Sequence, residues 1–197
     1  AGTMIVDGTT INANTCSGMA ADDGGAGIFN TAGILIVTNA TITNNLATGT
    51  SGSGGGIFSM AGTVTITDST LDGNAANRAG GAIEVVAGIL TITNSDLTNN
   101  DVDGGAGTPN PGNGGALHIS GVTTTIISGG TASGNDARRE GGALWNQTGS
   151  TMSVTNLTVD NNTASGPDAA HGGGGIFNNG GTLNLNNSTL SNNISDG

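Results

Sequence analysis

Seven asparagines recur in register along this chain: Asn14, Asn45, Asn74, Asn100, Asn135, Asn162 and Asn193. Three residues before each stands Ile11, Ile42, Leu71, Leu97, Ala132, Val159 or Leu190. Eight residues before each stands Val6, Val37, Ile66, Ile92, Ile127, Val154 or Leu185. Two further back come Met4, Leu35, Val64, Leu90, Thr125, Met152 and Leu183. Apolar columns kept in step with a polar one through the whole chain mark a true internal repeat. The spacing between asparagines is 31, 29, 26, 35, 27 and 31 residues, so insertions fall between conserved-length cores.

Residues 63–74, TVTITDSTLDGN, show what one core contains. Val64 and Ile66 alternate with threonines, the period of a half-buried strand. Asp68 and Ser69 break the run, a second short strand follows with Leu71 inward, and Asn74 ends it. Between the asparagines lies a glycine-rich signature: Ala26-Gly27-Ile28-Phe29, Gly55-Gly56-Ile57-Phe58, Gly81-Ala82-Ile83-Glu84, Gly115-Ala116-Leu117-His118, Gly142-Ala143-Leu144-Trp145 and Gly174-Gly175-Ile176-Phe177. Each repeat therefore carries three short strands and has no room for a helix beside them.

Hairpins would reverse alternate strands, whereas identical strands recurring at this interval stack parallel. The expected fold is all-β: a right-handed single-stranded parallel β-helix (β-solenoid) of six to seven coils, three short strands each. Its hand rests on the general preference for right-handed crossovers. Residues 1–197 read as a single domain, a segment of a longer protein whose flanking parts, end-to-end copies or partner would cover the strand edges at its ends. The asparagine column is structural: asparagine tolerates the left-handed conformation at a corner, and stacked amides bond along a column.

Only 34% of the residues are hydrophobic. That is low for a globular domain, but a solenoid needs one narrow apolar seam, since each coil buries itself against its neighbours. There is no lysine, and Arg78, Arg138 and Arg139 are the sole strong bases against a net charge of −11. Nucleic acid and anionic membrane surfaces require neutralising cations, so both are poor partners. No apolar run reaches membrane-spanning length. Cys16 is the lone cysteine and has no internal disulfide partner. An acidic, lysine-free surface rich in Thr, Asn and Ser fits a secreted or cell-surface setting.

The GG[AG][IL] signature alternating with a strand that ends in asparagine resembles the repeats of polymorphic outer-membrane autotransporter adhesins and of large bacterial surface proteins with right-handed β-helix repeats. The resemblance spans essentially the whole chain. It implies a secreted or surface-anchored bacterial protein, in a group whose repeats serve as passenger stalks, adhesins and some polysaccharide-cleaving enzymes.

The residue after the inward aliphatic of the glycine-rich strand faces outward. That column reads Phe29, Phe58, Glu84, His118, Trp145 and Phe177, and it holds every aromatic of a chain in which aromatics are 2%. Two roles are open to it. The rings are lids beneath the loops that precede these strands, or they form an exposed stripe that stacks on sugar rings or on another protein. On the second reading Phe29, Phe58, His118, Trp145 and Phe177 are the ligand-binding set, with a polysaccharide or cell-surface ligand as partner.

Glu84 and His118 sit in adjacent coils of that column, within hydrogen-bond reach, and a carboxylate beside an imidazole can support general acid–base chemistry. The longest insertion, 101–113, with Asp101, Asp103, Pro109 and Pro111, lies between those coils. Arg138, Arg139 and Glu140 precede the Trp145 strand. This is the basis of an alternative: a carbohydrate-active lyase or hydrolase centred on Glu84 and His118. Against it, the strand aspartates do not cluster, since Asp72 and Asp160 are separated by Thr98 and Ser133.

No cofactor is expected. Asp22-Asp23, Asp101-Val102-Asp103 and Asp168 are hard oxygen donors of the kind calcium takes, but they match no calcium-loop pattern. A third class is ice binding through outward threonines. The outward pairs of the middle strand are Ile36/Thr38, Thr65/Thr67, Thr91/Thr93, Ile126/Ser128, Ser153/Thr155 and Asn184/Asn186, and only two successive coils keep a strict Thr pair. The reading favoured by the residues together is a non-enzymatic stalk or adhesive module.

Overall fold

The computed structural model describes residues 2–20, 23–103, 112–167 and 171–196. They form a parallel β-solenoid of about six turns, with no helix among the described residues. Equivalent strands of successive coils pair directly: Leu35 with Val64, Val64 with Leu90, Leu90 with Thr125, and Thr125 with Met152. Three sheets of 12, 7 and 6 strands result. The first holds the long strand (Thr63–Thr67 in one coil) and the short strand (Thr70–Asp72); the third holds the glycine-rich strand (Ile57–Ser59). The second is made of two-residue strands just after the asparagine, such as Ala75–Ala76, which no alternation in so short a run could announce.

The core is the apolar seam read from the repeat. Leu35, Ile42, Ile57, Ile66, Leu71, Ile83, Leu90, Ile92 and Leu117 have no solvent exposure. Stacking places an aliphatic above an aliphatic in each file, so a narrow stripe gives a continuous interior. Thr125 interrupts it: its hydroxyl is buried with no hydrogen-bond partner. The end coils leave Met4, Ile5, Leu185, Leu190 and Ile194 exposed.

The glycine-rich signature has two separate causes. Gly80 and its equivalents Gly54, Gly114, Gly141 and Gly173 have φ between 59° and 67°, a conformation that side chains disfavour. The following glycine faces the backbone of the next coil: a Cβ on Gly81 would stand 2.3 Å from the Gly115 carbonyl oxygen. One position needs the dihedral freedom and the other needs the space.

The asparagine column forms a ladder. The Nδ2 of Asn14 donates to the Oδ1 of Asn45, and the same contact repeats through Asn74, Asn100, Asn135, Asn162 and Asn193 at 2.8–3.1 Å. Asn100 shows the full pattern. Its Nδ2 also donates to the Leu71 carbonyl at 3.0 Å, its backbone N–H donates to Asn135 Oδ1 at 3.0 Å, and its own Oδ1 accepts from the N–H of Asn74 at 3.0 Å. Asn45, Asn74, Asn100 and Asn162 are fully buried.

The expectation that these asparagines take the left-handed turn themselves is corrected. That conformation belongs to the residue before each: Ala13, Asn44, Gly73, Asn99, Gly134, Asn161 and Asn192, with φ of 52–66°. The column asparagine is left free to aim its amide inward along the stack.

Replacing Asn100 by Ala strands the Leu71 carbonyl and the Asn74 N–H in the interior. The expected cost is about 2–4 kcal/mol by the penalty for unmade buried hydrogen bonds, read as a lower melting temperature and faster amide exchange around residues 71–135. Thr125→Val removes an unpaired hydroxyl at nearly constant shape and should stabilise by about 1 kcal/mol in the same measurements.

Candidate functional site

The glycine-rich strands place the predicted column in register, with Phe29 beside Phe58, then Glu84, His118, Trp145 and Phe177. All six lie outside the apolar seam, as expected of the residue after the inward aliphatic. They do not form an exposed stripe. Phe58 is 1% exposed, Glu84 0%, His118 5% and Trp145 5%; Phe29, at 44%, is open and Phe177 is half-buried. The first of the two roles, lids beneath the preceding loops, describes the four central residues.

The covering layer is itself stacked. Gly24, Ser53, Ala79, Asn113 and Glu140 pair as single parallel bridges, one per coil, in the loops before the glycine-rich strands. Rings face one another beneath it: Phe29 on Phe58 at 5.4 Å, His118 on Trp145 at 4.3 Å, and Trp145 on Phe177 at 6.4 Å between centroids. Such pairs add about 0.5–1.5 kcal/mol beyond burial. Trp145 ties the layer down by donating its indole N–H to Glu140 Oε2 at 2.9 Å.

Glu84 is the charged centre of this layer. His118 Nδ1 lies 2.6 Å from Glu84 Oε2, and Arg78 Nη2 lies 3.6 Å from Oε1. Burial alone would raise the Glu84 pKa. The charges of His118 and Arg78, with hydrogen bonds from His118 and Ser120, outweigh it and hold the carboxyl below its ordinary 4.5. An ionised carboxylate can only accept, so His118 Nδ1 carries the proton. Arg78 also donates through Nε to Ser53 Oγ at 3.0 Å, linking the pair to the bridge file. Sequence adjacency in the column located Glu84 and His118 correctly; Arg78, which lies six residues upstream in the covering loop, was not joined to them.

Arg139 and Glu140 do not join this cluster. Arg139 donates to Nε2 of His171, at 3.1 Å through Nε and 2.7 Å through Nη2, in the next coil. Arg138 turns instead to the Asp103 carbonyl, at 3.0 Å.

The loop acids divide. Asp23 Oδ2 accepts from the Ala20 N–H, a local turn. Asp22, Pro109, Pro111 and Asp168 lie outside the described residues. Asp101 is not in a loop: Asp101–Val102 is one of the two-residue strands, paired with Asp136 and Ala137. Asp101, Asp103 and Asp136 thus gather in an open groove of about 310 Å³ with Val102, Arg138 and Ser165. Burial, then the charges of Asp136 and Asp103, push the Asp101 pKa up to about 6. Among the described residues no three acidic, histidine or cysteine side chains are arranged to hold a metal ion.

Comparison with family models, curated proteins and solved structures finds no match to this chain.

The buried Glu84 and the half-buried Asp101 predict opposite pH dependence. Glu84 has a depressed folded pKa, so its stabilisation is present above about 4.5 and is lost as pH falls through the folded value. Glu84→Gln should therefore destabilise at pH 7, by about 3 kcal/mol for a broken buried pair, with the gap from wild type closing under acid. Asp101 has a raised folded pKa, so its contribution is most favourable below 3.8 and is lost as pH rises through about 6. Asp101→Asn should stabilise at pH 7 by about 1 kcal/mol after discounting for solvent screening, and the gain should vanish near pH 4. Melting temperatures of both variants across pH 3–8 check the two signs.

Proposed function

We propose that this chain is a non-enzymatic rigid spacer of a secreted or cell-surface protein, a stalk that holds other parts at a fixed distance. The observation that carries this reading is the unbroken amide ladder from Asn14 to Asn193, which keeps one register through insertions of different length. Every coil is bonded to the next along several files at once, so bending or sliding must break many hydrogen bonds together.

The closure of Glu84 and His118 supports the non-enzymatic side. An acid–base pair must meet its substrate within hydrogen-bond reach, and here the carboxylate has no exposed surface and the imidazole is covered by Trp145. Their geometry suits a pinned ion pair beneath a lid. Contact of the column with a polysaccharide or a neighbouring cell surface falls to the open Phe29 and the half-buried Phe177. The surface setting draws on the lysine-free composition and on the likeness of the repeats to bacterial surface proteins.

Pulling single molecules from both ends tests the spacer role. The expected record is a series of extension steps of roughly 100 Å, one coil of about thirty residues each, at a force that Asn100→Ala lowers. Smooth extension at low force would overturn the reading.

A further inference from the structure

One surface of the solenoid is built unlike the others. The long strands of seven coils pair in register, Thr3–Asp7 through Thr182–Asn186, and present three outward residues each. Of these 21 positions, eleven are threonine and five isoleucine, and only Asp7, at the edge, is charged. All 21 reach solvent. In a chain of net charge −11, Asp7 is the one acid among these positions. Reading only two of the three files left its extent unseen: the outermost file alone adds five threonines, among them Thr63, Thr124 and Thr151.

The threonine hydroxyls here are uncommitted, while Ser153 Oγ accepts from Asn184 at 3.4 Å. None of the eleven threonine hydroxyls bonds to a protein group among the described residues. On the adjoining short-strand face the equivalent groups are taken: Thr43 Oγ1 donates to Asn12, Thr98 Oγ1 to Asp72 and Ser191 Oγ to Asp160. Strand propensity accounts for threonine on both faces, but not for the contrast in acids and side-chain bonds, which on the long-strand face are confined to its end coils, at Asp7 and at Asn184 with Ser153.

We infer that this face binds ordered water, and specifically the surface of ice. Strand stacking spaces its groups at about 4.8 Å, and alternation along each strand at about 6.6 Å, close to repeat distances of the hexagonal ice lattice. Amide rungs of uniform 2.8–3.1 Å at the corner leave the coils little freedom to rotate against one another, so the grid stays regular. Hydroxyls can join a water lattice while methyls and the exposed Ile34, Ile89 and Ile126 order water between them. A fixed charge would hold its own hydration shell and break the match.

A second copy of the chain is the weaker occupant. The face measures about 500 Å² per copy, short of the roughly 800 Å² of a standard stable interface. Burying it would also leave the hydroxyls needing partners. This inference is independent of the spacer role.

Thermal hysteresis and inhibition of ice recrystallisation are measured on the chain and on two variants whose folding is checked by circular dichroism. The chain should hold a freezing gap. Thr91→Lys, at the centre of the face, should reduce it to the buffer value, while Asp96→Lys, on the adjoining face, should leave it unchanged. Absence of both effects in the folded chain, or a gap that survives Thr91→Lys, would overturn the inference. So would sedimentation as a dimer that Thr91→Lys dissociates. A chain that resists force yet leaves ice unaffected would keep the spacer reading and lose this one.

Discussion

The inward amide ladder is the constraint on which the rest of this molecule depends. A solenoid has a narrow core, and hydrophobic burial by itself does not fix how far one coil slides over the next. An amide that donates to the coil above and accepts from the coil below does fix it, because a slip leaves buried donors and acceptors unpaired. Each of the five interior column asparagines, Asn45, Asn74, Asn100, Asn135 and Asn162, uses its side-chain oxygen twice and its nitrogen twice, as Asn100 does. The left-handed residue beside it turns the chain, and the division of labour between the two explains why Asn, Gly and Asn-Asn recur at each corner.

From that register everything on the outside follows. Residues far apart in the chain become vertical neighbours, so a single substitution in one coil changes a file. In the glycine-rich file this brings a carboxylate beneath an imidazole and the imidazole beneath an indole. In the two-residue file it sets Asp101 beside Asp136, like charges in one groove. The first arrangement is charge-compensated, with Oε2 of Glu84 bonded to His118 and Oε1 facing Arg78 without a hydrogen bond. The second leaves a carboxyl at a raised pKa, through burial and the neighbouring aspartates, whereas at Glu84 the charges of His118 and Arg78 outweigh burial.

The faces divide accordingly. One is covered by stacked loops and closed by aromatic rings. One carries acids and hydroxyls that bond to one another. One is hydroxyl-rich, with Asp7 at its edge as its single charge and its groups turned to water. Surface chemistry on a solenoid is written in files, and a file read in only one or two coils misleads.

Much of this was legible in the sequence. The columns at Asn74, Leu71, Ile66 and Val64 gave the strand positions, the inward faces and the parallel stacking, because period and register are properties of spacing alone. They also gave the adjacency of Glu84 and His118. Burial of the outward column was decided only by tertiary structure: whether Phe58 and Trp145 meet solvent depends on where the preceding loops lie, and loop paths are set by bridges such as Ser53–Ala79 that carry no pattern. The partner Arg78, the strand at Asp101 and the freedom of the threonine hydroxyls were decided the same way. Repetition encodes which residues share a file; what covers, pairs or leaves open each file depends on contacts between segments that do not repeat.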